Sequence, residues 1–206
     1  MPAATLKAVA LNCTLKPSPE ESSCDLLLTQ ILAALSDHDV EAAGEIIRLV
    51  DLDIKPGVLS DQGEGDEWPG VRKRILGANI LILGTPIWMG HPSSVCQRVL
   101  ERLDAFLAET DELGRMVSYD RAALVAVVGN EDGAHHVFAE LAQGLSDTGF
   151  SIPPEGSVYW VGEAMQGIDY KDKSPTPDPT ATAIATGARN VAHLARVLSE
   201  NGYPAD

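Results

Sequence analysis

The chain has 206 residues, of which 45% are apolar, and a formal net charge of -15. This length fits one domain with a sizeable core, so we expect a single domain over residues 1–206. The acidity argues against nucleic acid and anionic membranes as partners, because both bind through clustered Lys and Arg. No apolar run reaches the ~18 residues of a membrane span, and Met1–Lys7 lacks the pattern of a secretory signal.

Strand and helix patterns alternate along the chain. In chain order the predicted elements are strand Leu6–Leu11, helix Cys24–Leu35, strand Ala43–Asp51, helix Val71–Leu76, strand Ile80–Thr85, helix Pro92–Leu107, strand Ala122–Val128, helix Ala134–Thr148, a broken strand within Gly149–Val161 and helix Thr180–Asn201. The segments Leu52–Pro69 and Gly162–Pro179 are rich in Gly, Asp or Pro, which predicts surface excursions.

This alternation predicts an α/β fold with a parallel sheet and helices on both faces. Five strands with connections of this length favour a flavodoxin-like three-layer sandwich with the order 2-1-3-4-5. In such a sheet, ligands bind in the crevice beyond the carboxyl ends of the strands. The loops after the first, third and fourth predicted strands share that edge.

The three cysteines are Cys13, Cys24 and Cys96. Their number is odd and their spacing matches neither a CxxC pair nor a metal site. We therefore expect buried thiols in a reducing compartment, which predicts a cytoplasmic protein.

The first of these loops, Asn12–Ser23, combines hydroxyl groups with Lys16 just before a helix. Hydroxyls, a lysine and helix N-terminal N–H groups are the donors that phosphate prefers. The GxGxxG and GxxxxGK[ST] motifs are both absent, which argues against a dinucleotide or nucleoside triphosphate site of those types. The alternative is a polar connection in which Ser22 or Ser23 only caps the helix.

The second loop, Pro86–Gly90, contains the most informative residues of the chain. Trp88 and Met89 offer a polarizable surface on which a flat ring can pack, and Gly90 permits close backbone approach. Alternatively, Trp88 and Met89 cover the domain's own core or form a dimer surface.

The third loop is Gly129–Gly133, followed by His135 and His136. Adjacent helical residues point about 100° apart, so these two histidines cannot easily clamp one ion, and we expect no metal site. A GxSxG elbow is absent around Ser93, and Cys96 lies on an apolar helical face. We therefore expect no side chain to act as a catalytic nucleophile.

These loops together resemble those of the flavodoxin-fold NAD(P)H-dependent FMN oxidoreductases, the group that includes flavin and quinone reductases. The most specific similarity is the segment Gly84-Thr85-Pro86-Ile87-Trp88-Met89-Gly90 before a helix. The resemblance covers about residues 6–198. It implies FMN as cofactor and NAD(P)H as cosubstrate.

The resemblance also implies roles for residues of each loop. The FMN phosphate would be held by Thr14, Lys16, Ser22 and Ser23. The isoalloxazine ring would be lined by Thr85, Pro86, Ile87, Trp88, Met89 and Gly90. The other side would be closed by Asn130, Glu131, Asp132 and Gly133.

Two features depart from that family. The first loop is longer than the compact Ser-x-Arg-x-x-Ser form, with Lys16 where an arginine is common. The segment 53–68 contains no cysteine, which argues against an iron–sulfur cluster because such clusters need about four thiolates.

The predicted function is hydride transfer from NAD(P)H through bound FMN to a small acceptor such as a quinone or free flavin. Two alternatives are a flavodoxin-type electron carrier, which the acidity favours for docking to basic partners, and an interaction module without cofactor. Pocket-wall roles for Tyr159, Trp160 and Tyr170 compete with simple packing. By resemblance we expect a homodimer or homotetramer.

Overall fold

The protein is described by a computed structural model that covers residues 5–42, 44, 46–163 and 166–205. The strands are β1 (Leu6–Asn12), β2 (Val40–Ala42), β3 (Ile47–Arg48), β4 (Ile80–Trp88), β5 (His91–Pro92), β6 (Ala122–Gly129) and β7 (Ser157–Val161). The helices are α1 (Ser23–Ser36), α2 (Trp68–Leu76), α3 (Ser94–Leu103), α4 (Ala134–Asp147) and α5 (Asp178–Glu200). Among the described residues, no helix is both long and apolar enough to cross a bilayer.

The central sheet is parallel and runs in the order β2-β1-β4-β6-β7. Counted along the chain, this is the predicted order 2-1-3-4-5, so the flavodoxin-like prediction is confirmed. The short β3 adds to the end of β1, and β5 folds back antiparallel on β4.

Two hydrophobic cores lie on opposite faces of the sheet. One packs α2, α3 and α4 against the sheet, and the other packs α1 and α5. Along β4, Leu81 and Leu83 enter the first core, while Ile80 and Ile82 enter the second. Because strand side chains alternate between faces, only a continuous apolar run can serve both cores, and this is the pattern that β4 and β6 show.

The region of the second predicted strand, Ala43–Asp51, is built differently. Its residues 43 and 45 lie outside the described part of the chain. The sheet instead receives β2, which precedes the predicted strand, and the two-residue β3. Leu49–Asp51 forms a 3-10 turn, so the prediction of a strand there was wrong.

The start of α3 also differs from the prediction. Pro92 was expected in the first helical turn, but it pairs with Ile87 in β5. The helix begins at Ser94, with Ser93 as its N-cap. A serine side chain can accept the free N–H of the first turn, whereas proline cannot, which explains why the boundary lies two residues later.

All three cysteines are buried and free, as predicted. Burial raises the pKa of the Cys13 and Cys24 thiols above the usual range. Both thiols therefore stay protonated at neutral pH, which makes them poor nucleophiles.

The excursion after β3 is anchored by a buried ion pair. Arg102 of α3 donates to both carboxylate oxygens of Asp66, at 3.1 and 2.7 Å, and both side chains are fully buried. The same guanidinium donates to the carbonyls of Leu59 and Lys55 and lies over the ring of Trp68. The segment predicted as a surface excursion is thus fastened to α3.

Burial by itself raises the pKa of the Asp66 carboxyl, but hydrogen bonds from Arg102 and from three backbone N–H groups outweigh it. The net result is a pKa of about 2. Because the folded-state pKa is lowered, this carboxylate stabilises the fold above the unfolded-state pKa of about 3.9. That contribution is lost as the pH falls from about 4 through 2.

We predict that Asp66→Asn lowers the free energy of unfolding by about 3–5 kcal/mol, because the Arg102 charge would remain buried without its partner. Denaturant titration at neutral pH measures this change. Between about pH 4 and 2, the free energy of unfolding of the variant should also fall less than that of the unchanged protein. The exposed Asp61→Asn is the control, and equal destabilisation in both variants would contradict the role of the pair.

Candidate functional site

One cavity of about 530 Å³ opens at the carboxyl ends of β1, β4 and β6. We call it the sheet-edge cavity. Three loops contribute to it, together with the end of β7 and the segment that follows. Its lining consists of Thr14, Leu15, Lys16, Ser22, Ser23, Cys24, Pro86, Ile87, Trp88, Val128, Gly129, Asn130, Glu131, Asp132, Trp160 and Asp169.

Most residues predicted to bind a cofactor meet in this cavity. Those that line it are Thr14, Lys16, Ser22, Ser23, Pro86, Ile87, Trp88, Asn130, Glu131 and Asp132. The other four, Thr85, Met89, Gly90 and Gly133, are not part of the lining. Thr85 is fully buried, and its hydroxyl is engaged inside the fold. Met89 is 87% exposed.

Loop one supplies the polar end of the cavity. Ser22 is the N-cap residue of α1, but its side chain makes no capping hydrogen bond. Leu26 donates the first helical hydrogen bond to the Ser22 carbonyl, so the preceding N–H groups of the first turn have no acceptor within the helix. A buried hydroxyl that does not cap, beside free N–H groups, is a donor set suited to an anion.

The same loop is held in place from its outer side. The Arg48 guanidinium donates to the carbonyls of Pro17 and Glu20, at 3.3 and 2.7 Å. Asp51 accepts from both the backbone N–H and the hydroxyl of Ser18, and these bonds lower the pKa of its carboxyl. Arg48 and Asp51 thus fix the loop without using its hydroxyls on the cavity side.

Loops two and three touch each other at Gly90. Gly133 has φ 113°, and a Cβ at this position would lie 3.0 Å from the Cα of Gly90. The Gly90 N–H also points at a carboxylate oxygen of Glu131, at 3.4 Å. Gly133 therefore has to be glycine for two reasons, its left-handed backbone and this close approach.

Trp88 is half exposed, at 55%, and forms part of the cavity wall. The alternative in which it covers the domain's own core is thereby wrong. Its neighbour Ile87 is buried and also lines the cavity.

Sequence reasoning missed part of the lining. Asp169 accepts a hydrogen bond of 2.8 Å from Asn130 and so joins loop three to the segment after β7. No pattern in the chain marks Asp169. Trp160, for which the sequence left a pocket-wall role and simple packing open, lines the cavity and also packs on Tyr170, with ring centroids 5.4 Å apart. Tyr170 itself is buried as a packing residue.

The two adjacent histidines do not act together. His135 lies 3.1 Å from the Tyr159 hydroxyl, whereas His136 lies 2.9 Å from Glu140. The residues that line the sheet-edge cavity include neither of them.

The comparisons with known proteins agree with this geometry. The family model of the NADPH-dependent FMN reductases matches residues 6–165. The chain belongs to this family. The general class of FMN-dependent oxidoreductase follows from that membership.

Individual relatives cover nearly the whole chain. It is 32% identical to 8-demethyl-8-aminoriboflavin-5'-phosphate synthase of Streptomyces davaonensis, over 98% of this chain and 81% of that protein. The crystal structure of RosB with bound 8-demethyl-8-formylriboflavin-5'-phosphate superposes with a TM-score of 0.85 at 31% identity, covering 96% of this chain and 82% of that one.

A third relative is much longer. The chain is 38% identical to the divalent metal cation transporter MntH of Mycobacterium bovis over 94% of its own length. It spans only 29% of that transporter.

The Ser93 hydroxyl connects loop one to α3, the helix that follows loop two. It donates to the carbonyl of Cys13 at 2.6 Å and accepts from the N–H of Cys96 at 3.1 Å. The Ser93 N–H in turn donates to the Thr85 hydroxyl. The start of loop one, β4 and the first turn of α3 therefore meet at one buried residue, through its hydroxyl and its backbone N–H.

We predict that Ser93→Ala lowers the free energy of unfolding by about 1–3 kcal/mol, because two buried backbone groups would lose their partner. Chemical denaturation monitored by circular dichroism measures this. Ser94→Ala, an adjacent and exposed change in the same helical turn, is the control and should have little effect. Similar destabilisation by both changes would contradict the role assigned to the Ser93 hydroxyl.

Proposed function

We propose that the chain binds FMN in the sheet-edge cavity and passes hydride from NAD(P)H to a small acceptor such as a quinone or free flavin. The observation that carries this proposal is the division of one cavity into two ends. Loop one and the N-terminus of α1 contribute hydroxyls, Lys16 and helix N–H groups to the lining, and loop two contributes an apolar, aromatic wall; we call these two parts the polar and the apolar end. The polar end suits the phosphate of FMN, and the apolar end suits its flat ring.

At the polar end, Thr14, Lys16, Ser22 and Ser23 would hold the phosphate. Thr14 and Ser22 are both buried, so hydrogen bonds from their hydroxyls face little competition from water. The helix dipole of α1 adds a favourable potential for a negative charge. Because the chain has a net charge of -15, an anion can bind here only with the help of these local hydrogen-bond donors.

At the apolar end, Pro86, Ile87 and Trp88 form one wall, and Val128 and Trp160 extend the apolar lining. The carboxylates of Glu131 and Asp132 lie along loop three. These residues would orient the ring and exclude water from one of its faces. Gly90 and Gly133 are not part of the lining, and their close approach brings loops two and three together.

When bound, FMN supplies the redox chemistry, since hydride transfer is a property of the flavin. The side chains of the cavity bind and orient, and none is assigned as an acid, base or nucleophile. Rate acceleration then rests on holding the two reactants in contact.

The absorption spectrum with added FMN, followed by addition of NADH and NADPH, tests the proposal. We expect FMN to bind at micromolar concentration and one reduced nicotinamide to be oxidised when a soluble quinone or excess flavin is present. Absence of FMN binding would overturn the proposal. FMN binding without any nicotinamide oxidation would favour the electron-carrier alternative.

A second candidate is that riboflavin 5'-phosphate is the substrate rather than a lasting cofactor. It is favoured by the 32% identity to a synthase named for a modified riboflavin 5'-phosphate and by the fit to RosB with such a compound bound. Flavin released after incubation with the protein would be compared by mass with the FMN supplied. A changed ring mass supports this candidate, and unchanged FMN after many turnovers supports the reductase.

We predict that Lys16→Met weakens FMN binding by about tenfold, because a charge-assisted contact to the phosphate is lost. Riboflavin, which lacks the phosphate, should bind the variant as well as it binds the unchanged protein. Fluorescence titration with both ligands measures the two affinities. Lys173→Met, an exposed change outside the lining, is the control. An equal loss of affinity for both ligands would contradict the phosphate role of Lys16.

We also propose a homodimer or homotetramer whose interface includes the exposed Met89 and the rim of the cavity at Trp88. Met89 has φ 54°, an uncommon backbone conformation that holds its apolar side chain in solvent. Met89→Lys should dissociate the oligomer in light-scattering measurements, and Leu113→Lys, another exposed apolar position, should not. A monomeric unchanged protein would refute this proposal.

The remaining assignments are proposals as well. A cytoplasmic location is supported by three free, buried thiols. The net charge supports the absence of nucleic acid and membrane partners.

A further inference from the structure

Three potential metal ligands converge outside the sheet-edge cavity. His91 Nδ1 lies 3.0 Å from one carboxylate oxygen of Glu140, and His136 Nε2 lies 2.9 Å from the same oxygen. The three ligand atoms all lie within 4.8 Å of one another. We propose that His91, His136 and Glu140 bind one divalent transition-metal ion of the zinc class.

The chemistry of this set matches such an ion. Two imidazole nitrogens and one carboxylate oxygen are common protein ligands for Zn²⁺, with further positions left to water. Around a tetrahedral ion at about 2.0–2.1 Å, neighbouring ligand atoms lie about 3.3 Å apart. The two observed spacings to Glu140 differ from this by a few tenths of an ångström. All three side chains are at least partly exposed, so small rotations can open the centre for the ion.

The backbone fixes these ligands on two separate elements. His136 and Glu140 lie four residues apart on α4 and therefore on the same face of the helix. His91 lies in β5, where it pairs with Trp88 of β4. Two ligands on a helix and one on a strand need little ordering when the ion binds, because their backbone is already in place.

The surroundings leave room for the other ligands of the ion. A shallow cavity of about 510 Å³ adjoins the cluster and is lined by His91, Pro92, Gln97, Leu100, Glu140 and Gln143. Water molecules can complete the coordination there. The net charge of -15 adds a general attraction for cations.

A bound ion would join β5 to α4, next to the loop that carries Trp88. Its role would therefore be structural, as a cross-link between loop two and the helix that follows loop three. This inference does not depend on the proposed function, because it concerns residues outside the sheet-edge cavity and is tested without flavin.

The test is a calorimetric titration of Zn²⁺ into the full chain, free of flavin and without a histidine tag, in a buffer that does not chelate metals. We expect one equivalent to bind and the melting temperature to rise with Zn²⁺. The variants His91→Gln, His136→Gln and Glu140→Gln should each weaken binding by about tenfold or more, since each removes a ligand.

Two histidine variants are the matched controls. His135→Gln changes the residue next to His136, and His193→Gln changes a histidine on α5. Both should bind Zn²⁺ like the unchanged protein. Far-ultraviolet circular dichroism establishes that every variant is folded, and Co²⁺ absorption of the unchanged protein gives an independent readout of the coordination.

Three outcomes would overturn the inference. The first is no Zn²⁺ binding to the unchanged protein, which would leave the cluster as a pair of His–Glu contacts. The second is binding that all three ligand variants retain, which would place the ion elsewhere. The third is an equal loss of affinity in His135→Gln or His193→Gln, which would indicate scattered surface binding.

Discussion

The hydrogen bonds of the Ser93 side chain hold together the edge of the sheet on which the site is built. Its hydroxyl joins the Cys13 carbonyl after β1 to the first turn of α3, while its backbone N–H is bonded to Thr85 in β4. Parallel strands end at a common edge, but nothing in strand pairing fixes the loops beyond that edge. A small side chain that both donates and accepts supplies the missing constraint. It is buried, so water does not compete for its bonds.

The polar and the apolar residues of the cavity are separated because they come from different elements. Loop one keeps hydroxyls toward the cavity, since Arg48 and Asp51 satisfy its carbonyls and Ser18 from outside. Loop two supplies the apolar wall, which Val128 and Trp160 extend, and loop two approaches loop three closely at Gly133. The proposed phosphate and ring positions follow from this separation. In this acidic chain, the first turn of α1 and Lys16 supply a local attraction for an anion.

The two interactions that lie farther from the cavity differ in how they respond to solvent. Arg102 and Asp66 are sealed from water, and their mutual hydrogen bonds lower the pKa of the carboxyl against the effect of burial. Above about pH 4 the pair therefore anchors the excursion after β3. His91, His136 and Glu140 are at least partly exposed and face a shallow cavity. An ion can reach such a set directly from solvent and, in our proposal, cross-links β5 to α4.

The sequence by itself determined the fold class, the strand order and the loops that form the site. Continuous apolar runs such as Ile80–Thr85, which are short and rich in isoleucine, favour strands covered on both faces, and the ligand site of a parallel sheet lies at a known edge. Tertiary structure decided which residues distant in sequence come into contact. Asp169 reaches Asn130 from a segment without any pattern, and the buried Thr85 hydroxyl accepts a hydrogen bond from the Ser93 N–H. His91 meets His136 across 45 positions of sequence. Such contacts depend on how distant segments pack, which local periodicity does not encode.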